Sequence, residues 1–337
     1  MLKILSIIIP SYNMERYLPY CLDSLLISHS RNSIEVVIVN DGSEDSTLAI
    51  ARRYSEEYPE LFRVIDKDNG NYGSCINAAL PLITGKFVKV LDADDSFDTA
   101  NFEYFLEFLN GKDVDLVLSD FTWVDSKRNK LKEITFSLGK TILSMDEACI
   151  QDCFKSMEMH AVTYRTKLLV DSGYYQTEGI SYTDQQWIFS PMVYVRQVGV
   201  FNRPVYQYMV GRVGQTINPE VKLRRIKDRI IYVSDMIKQY DTLNLLATRE
   251  IKEYLDARIF PNIKDIYITY FTHTGKVDRQ LVLDFDDNFQ KLSEVLYDKL
   301  GMSNCYIMIW RQLKNHDWME HLFCLLFSVI FRLWTKI

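Results

Sequence analysis

The chain has 337 residues, 47% of them apolar and 25% charged, with a formal net charge of -6 and no basic run. That length exceeds one compact core and predicts two lobes, and a composition without low-complexity stretches predicts folded structure throughout. The negative balance excludes a nucleic-acid partner, which requires clustered Lys and Arg to release phosphate counterions.

Short β-branched runs alternate with amphipathic stretches over the first half. Strands are predicted at Leu5 to Ile9, Glu35 to Asn40, Phe62 to Asp66, Phe87 to Leu91 and Leu116 to Ser119. Helices are predicted between them at Glu15 to Ile27, Ser46 to Tyr58, Tyr72 to Leu82 and Asn101 to Leu109. Helices long enough for crossovers predict an α/β fold with a doubly wound, mostly parallel sheet. Ligands of such sheets bind beyond the carboxyl ends of strands, so polar residues directly after each strand are the first candidates.

Pro10-Ser11-Tyr12-Asn13 and Glu15 follow the first strand, and no glycine precedes Gly42. The glycine-rich phosphate loops of Rossmann, P-loop and nucleotidyltransferase domains are therefore missing. What is left is a turn with one aromatic ring, suited to a base. Asp41 ends the second strand in Asn40-Asp41-Gly42-Ser43. The turn, and a helix cap at Asp45 or Ser46, have a structural reading, but a carboxylate at that place can also accept the N–H of a uracil or other base. Asp68 to Gly73 precede the helix carrying Asn77. Their glycines permit positive φ and close backbone approach, and Asn71 is the candidate polar contact among them. Asp92-Ala93-Asp94-Asp95 closes the fourth strand. Carboxylates so crowded repel one another unless a cation or ordered hydrogen bonds compensate. Mg2+ or Mn2+ on one or two of them, completed by phosphate oxygens and water, is the economical arrangement.

From Met145 the pattern loosens into a helix and short strands near Ala161 to Tyr164 and Val198 to Tyr208. Asp184 opens a helical run, either as a first-turn acid or as a functional carboxylate. Trp123, Met159, His160 and Tyr182 are candidates for acceptor contact or for core packing. Tyr208, Arg212 and Gln215 occupy a loop with Gly211 and Gly214, from which Arg212 can reach a diphosphate or stay solvated. Cys149 and Cys153 are spaced for one helix face and not for a zinc knuckle; the six cysteines are predicted to be buried free thiols in a reducing compartment.

Taken in order, four segments resemble the family-2 glycosyltransferases of the GT-A fold, which build bacterial capsules, O-antigens and other surface glycans. They are Ser6 to Asn13 with Glu15 and Tyr17-Leu18, Val39 to Ser43 with Asp45-Ser46-Thr47, Asn69-Gly70 to Asn77, and Leu91 to Asp95. The resemblance covers residues 3 to 215 and implies a catalytic domain over 1–215. It implies that Pro10, Tyr12 and Glu15 shape the nucleotide pocket, that Asp41 meets the base and that Asp92 faces ribose and diphosphate. Asp94 matches the metal position, with Asp95 as its rival. Asp184 matches the general base, although Thr183 stands where the family usually has another acid. The implied activity is inverting transfer from a nucleoside-diphosphate sugar, most simply a UDP-sugar, to a hydroxyl of a glycan or lipid-linked acceptor in surface polysaccharide synthesis. The Gln-x-x-Arg-Trp motif and spanning helices of processive members are absent, which favours single addition. A sugar-nucleotide-binding scaffold without turnover and a nucleotidyltransferase are the alternatives.

Residues 216–337 read as a helical region, with long periodic segments at Val221 to Tyr240, Leu245 to Ile259 and Phe289 to Leu300. From Trp310 onward apolar residues crowd together, interleaved with Arg311, Lys314, Arg332 and Lys336. The stretch between His321 and Arg332 is too short to cross a bilayer. Tryptophans with flanking basic residues suit the headgroup boundary, so peripheral contact with the inner face of the cell membrane is expected; docking on its own domain or on a second subunit is the alternative. Met1 leads directly into the first strand without a cleavable leader pattern, which predicts a cytoplasmic protein.

Overall fold

A computed structural model describes residues 3–27, 31–211 and 219–334. They form two compact units, Met1–Gln215 and Thr216–Ile337.

The first unit begins with β1 (Leu5–Ser11), β2 (Ile34–Asp41), β3 (Phe62–Lys67) and β4 (Phe87–Val90), separated by α1 (Leu18–Asp23), α2 (Thr47–Glu57) and α3 (Asn71–Ala79). β1 and β2 are nearly continuous apolar runs buried on both faces, the pattern of interior parallel strands. The spatial order is β3-β2-β1-β4, all parallel. The chain therefore moves outward from β1 to β3 and returns on the far side of β1 as β4. That places the topological switch point between β1 and β4, where the loops leaving both strands diverge and a crevice opens.

Beyond β4 the sheet departs from the mostly parallel expectation. It continues through β5 (Ser96–Phe97), α4 (Thr99–Asn110), β6 (Leu116–Val124), β7 (Lys130–Ile134), β8 (Ile142–Ser144), β9 (Val162–Arg165) and β10 (Gln197–Met209). β9 runs antiparallel between β4 and β6, β10 is parallel to β6, and β5, β7 and β8 pair antiparallel. One cause is local: Asp125 closes a tight turn by accepting from Lys127 and Asn129 N–H groups, and a turn that short can only return the chain antiparallel. The β6–β10 ladder also shifts register around Pro204, which has no N–H to donate.

Four short helices lie between β8 and β10 in the chain: α5 (Met145–Cys149), α6 (Asp152–Lys155), α7 (Thr166–Asp171) and α8 (Asp184–Trp187). Cys149 and Cys153 do not share a helix face, because α5 and α6 are separate helices. All six cysteines are free thiols; Cys153 is half-buried and Cys305 exposed, while the other four are buried.

The second unit is helical: α9 (Pro219–Arg224), α10 (Ile226–Leu246), α11 (Arg249–Thr272), α12 (Arg279–Leu292), α13 (Glu294–Ser303), α14 (Cys305–Leu313) and α15 (Asp317–Trp334). The segment expected from Leu245 starts instead at Arg249, under a Thr248 cap, and runs through Pro261 to Thr272. The segment expected from Phe289 to Leu300 is broken at Ser293, whose hydroxyl accepts from Leu296 N–H at 3.1 Å and starts α13. A serine offers the backbone that alternative to helix continuation. Tyr240, Tyr254, Tyr267 and Trp310 are fully buried. Among them Asp286 accepts from the Tyr267 and Tyr297 hydroxyls, from Arg311 Nε at 3.0 Å and from Lys314 Nζ at 2.8 Å. Asp286→Ala is expected to lower the unfolding free energy by about 3–5 kcal/mol, because it strips a buried counter-charge from two cations. Urea denaturation checks this, and an unchanged midpoint and slope would refute it.

Candidate active site

The chain leaving β1 is fastened to the chain leaving β2. Asn13 N–H donates to Ser43 Oγ at 3.0 Å, Met14 N–H to Thr47 Oγ1 at 2.7 Å and Glu15 N–H to Asp45 Oδ2 at 3.1 Å. In return, Glu44 N–H donates to Asn13 Oδ1 at 2.9 Å and Ser46 N–H to Glu15 Oε2 at 3.1 Å. Glu15 thus holds two loops together, while Tyr12 on the same turn is 46% exposed. Gly42 adopts φ +69°, and a Cβ there would lie 2.9 Å from Asn69 N, so this backbone approach requires glycine. Asp41 is buried, and its Oδ1 accepts from Lys67 Nζ at 2.9 Å, Gly70 N–H at 2.9 Å and Ser74 Oγ at 3.4 Å.

The acids after β4 are held by aromatic hydroxyls. Asp95, fully buried, accepts from Tyr206 Oη at 2.6 Å and Met209 N–H at 2.7 Å. Asp92 N–H donates to Tyr206 Oη at 3.1 Å, and Tyr72 Oη donates to Asp92 Oδ1 at 2.8 Å. His160 Nε2 stands 4.0 Å from Asp92 Oδ2, with its ring stacked on Tyr208 at 4.3 Å. Burial pushes Asp92 up to about 6. Burial, reinforced by the charges of Asp94 and Asp92, pushes Asp95 well above the carboxylate range. Lys89, also fully buried, donates to the carbonyls of His160 at 2.6 Å and Val162 at 3.2 Å, and burial lowers it to about 7. Arg128, in the β6–β7 turn, donates to the Asp94 carbonyl at 2.8 Å and lies over the Tyr20 ring at 4.2 Å. One ligand atom each from Asp92, Asp95 and His160 lie within 4.8 Å of one another, a spacing that one divalent cation can bridge.

Asp184 is the first residue of α8 and stands two residues after Tyr182, whose backbone is left-handed at φ 71°. That conformation costs a side-chain-bearing residue about 1–2 kcal/mol, and the surrounding chain fixes it. Asn77 on α3 donates to Gln176 O at 2.8 Å and accepts from Gln176 N–H at 3.0 Å; Gln176 Nε2 donates to Thr183 O at 3.1 Å. Gln186 closes on Thr177, accepting its N–H at 2.9 Å and donating to its hydroxyl at 2.7 Å. A Cβ on Gly73 would meet Thr177 O at 2.2 Å, so α3 touches this segment through bare backbone. The half-buried Asp184 carboxylate accepts from Gln185 Nε2 at 3.1 Å. Burial is the main cause of the raised Tyr72 and Asp92, and the Asp184 charge adds to both, so Asp184 lies within electrostatic range of the acid loop.

Asp92 and Tyr72 are therefore brought together with Asp95 and His160, within range of the Asp184 charge. Asn71 opens α3 with a left-handed φ of 63°, at the end of the helix that faces Asp41. Pro10 is buried within β1. Arg212 and Gln215 lie outside the described residues. His160, an acceptor candidate by sequence, lies against Asp92, and Met159 receives the Tyr72 hydroxyl at 3.5 Å. Sequence reasoning passed over Lys89, Arg128 and Tyr206, which sit in no motif, and gave no role to Tyr72, which lies within the Asn69-Gly70 to Asn77 segment. For Tyr206 a signal existed: it is two residues from Tyr208, which puts both rings on one face of a strand.

The model of the family described as glycosyl transferase family 2 matches residues 6–169. An uncharacterized glycosyltransferase of Mycoplasma pneumoniae, the MG025 homolog, is 35% identical over 139 residues, covering 40% of this chain and 45% of that protein. The poly(ribitol-phosphate) beta-N-acetylglucosaminyltransferase TarS of Staphylococcus aureus is 26% identical over 219 residues, 62% of this chain and 36% of TarS. The crystal structure of TarS 1-349 in complex with UDP-GlcNAc superposes with a TM-score of 0.71 at 20% identity, covering 98% of this chain and 91% of that one. The mannosyltransferase PcManGT from Pyrobaculum calidifontis, in complex with GDP-Man and Mn2+, superposes with a TM-score of 0.50 at 15% identity, covering 99% and 88%. The chain spans less than half the length of the curated relatives it matches, and the structural likenesses bear on the fold. The matched segment, just under half of the chain, includes the strand ends that carry Asp41 and Asp92 to Asp95, and the structural neighbours share the fold: the chain carries a glycosyl transferase family 2 domain over residues 6–169.

Proposed function

We propose that this chain is an inverting, metal-dependent glycosyltransferase that moves a sugar from a nucleoside diphosphate, most simply UDP, to a hydroxyl of a glycan or lipid-linked acceptor in surface polysaccharide synthesis. The observation that carries this reading is the acid cluster after β4, where Asp92, Asp95 and His160 lie close enough for one cation and Tyr72 holds Asp92, within range of the Asp184 charge. Displacement at an anomeric carbon needs a base on the attacking hydroxyl and charge neutralisation on the departing diphosphate, and these two carboxylate groups suit the two ends. The UDP-GlcNAc bound by TarS supports the donor class, and the Mn2+ in PcManGT supports the metal.

In this proposal Tyr12 and Asp41 receive the base, Pro10 and Glu15 shape the turn that presents Tyr12, and Asn71 and Arg212 serve the diphosphate side. Asp92 takes the ribose, oriented by the Tyr72 hydroxyl. Asp184 accepts the proton of the acceptor hydroxyl as its oxygen attacks the anomeric carbon; the bond from that carbon to the diphosphate breaks on the opposite face, and configuration inverts. A divalent cation, when bound, neutralises charge on the leaving diphosphate. Asp94 is the proposed carboxylate ligand, with Asp92 and His160 beside it. Asp95 suits a buttress better, since both of its oxygens already accept from Tyr206 and Met209. The proposed location is the inner face of the cell membrane, on the strength of the apolar surface of α15.

Thermal shift with a panel of nucleotide sugars, each with and without Mn2+, tests the reading. One nucleotide class is expected to raise the melting temperature in the presence of metal and then to release its diphosphate when acceptor is added. If no sugar nucleotide shifts the melting temperature under any metal condition, the proposal fails.

A further inference from the structure

On α15, Trp318 and six aliphatic side chains from Leu322 to Leu333 are 48–72% exposed. At 100° per residue they fill an arc of about 140°. The opposite face is packed: Cys324 and Glu320 are buried, and Phe323 and Phe327 meet Phe271 edge-on at 5.3 and 5.1 Å. The helix is thus docked on its own unit by one side and apolar on the other.

Two features say what covers the exposed side. The first is width. Leu322, Leu326, Val329 and Leu333 follow the spacing of a coiled-coil seam, but a two-stranded seam is flanked mainly by charged residues, and here the flanks are Phe323, Leu325, Ile330 and the single charge Arg332. So broad a stripe fits a flat apolar phase. The second is charge. The acids at the start of α15 are both engaged by Arg279, Asp317 at 3.0 Å and Glu320 at 2.5 Å. At the other end Arg332 is exposed, and Lys336 follows it in the sequence. Residues 216–337 hold 18 Lys and Arg against 16 Asp and Glu, in a chain whose net charge is -6. Among the described residues no helix is long and apolar enough to cross a membrane.

We infer that α15 lies in the headgroup boundary of an anionic membrane, with the stripe from Trp318 to Leu333 inserted and Arg332 at the lipid phosphates. This rests on the membrane location proposed above and not on the transfer chemistry. The full chain is to be sedimented with vesicles of phosphatidylcholine alone and of phosphatidylcholine with phosphatidylglycerol. Sedimentation with the anionic vesicles is expected to exceed that with neutral ones by about tenfold and to weaken in high salt. The double variant Leu326→Asp/Val329→Asp should lose about tenfold of this binding and Arg332→Glu severalfold, the latter with the apolar stripe intact. The double variant should also keep wild-type turnover on a soluble acceptor, so that loss of the anchor is distinguishable from failure of the transferase reading. The inference is overturned if the full chain stays in the supernatant with both vesicles, or if the double variant sediments like the wild type. It is equally overturned if light scattering finds a dimer that the double variant dissociates while neither binds vesicles, since a second copy would then cover the stripe.

Discussion

Asp184→Asn is expected to lower turnover by about two to four decades while leaving donor affinity within about twofold. The substitution keeps the shape of the side chain, and its amide oxygen can still accept from Gln185. The braces from Gln176 and Gln186 reach Thr183 and Thr177 and never touch the carboxylate, so the turn itself should survive. What is lost is the ability to take a proton from the acceptor, a step that leaves the bound nucleotide untouched. Turnover at saturating donor and acceptor, set beside donor binding by calorimetry, separates these effects. An equal loss in both quantities would make Asp184 a donor-side or structural residue and would remove the base from the mechanism.

Asp94→Ala is expected to reduce turnover by about two to three decades and to abolish its response to Mn2+ or Mg2+. The native protein should likewise lose activity in excess chelator and regain it on adding metal. The informative control is Asp95→Asn. Because Asp95 accepts from Tyr206 and Met209 inside the core, its variant should lose melting temperature and retain Mn2+ affinity. Calorimetric titration with Mn2+ alone distinguishes the two without any substrate. Wild-type activity of Asp94→Ala, or full native activity in chelator, removes the metal assignment; loss of Mn2+ binding in Asp95→Asn alone transfers the ligand role to Asp95.

The early strands and helices were legible because each is a local amphipathic or apolar run, and the strand-end rule then pointed to Asp41 and Asp92 to Asp95 without three-dimensional knowledge. The second half of the sheet was not. Which neighbour β9 and β10 choose depends on partners far away in sequence, and nothing local in Val162 to Arg165 signals an antiparallel seat between β4 and β6. The break at Ser293 was readable in principle, as a cap residue within an apolar period. Tyr72 was not, because a tyrosine in the first turn of a helix becomes informative only when its hydroxyl is seen on Asp92. Lys89 reads as an ordinary polar position in a strand, and only its burial and two carbonyl partners set it apart.

Helix α3 meets three parts of the site within a few residues. Gly70 N–H, just before it, and Ser74 hold Asp41; Tyr72 holds Asp92; Asn77 and Gly73 meet the segment leading to Asp184. If Asp41 serves the donor and Asp184 the acceptor, as proposed, the choice of donor and the readiness of the acceptor side are not separately adjustable traits. Under the proposed roles, a change that tilts this rod to admit another nucleotide also re-aims the turn that carries Asp184. Divergence within such a scaffold must then proceed by loops that avoid α3, or by paired changes at both of its ends.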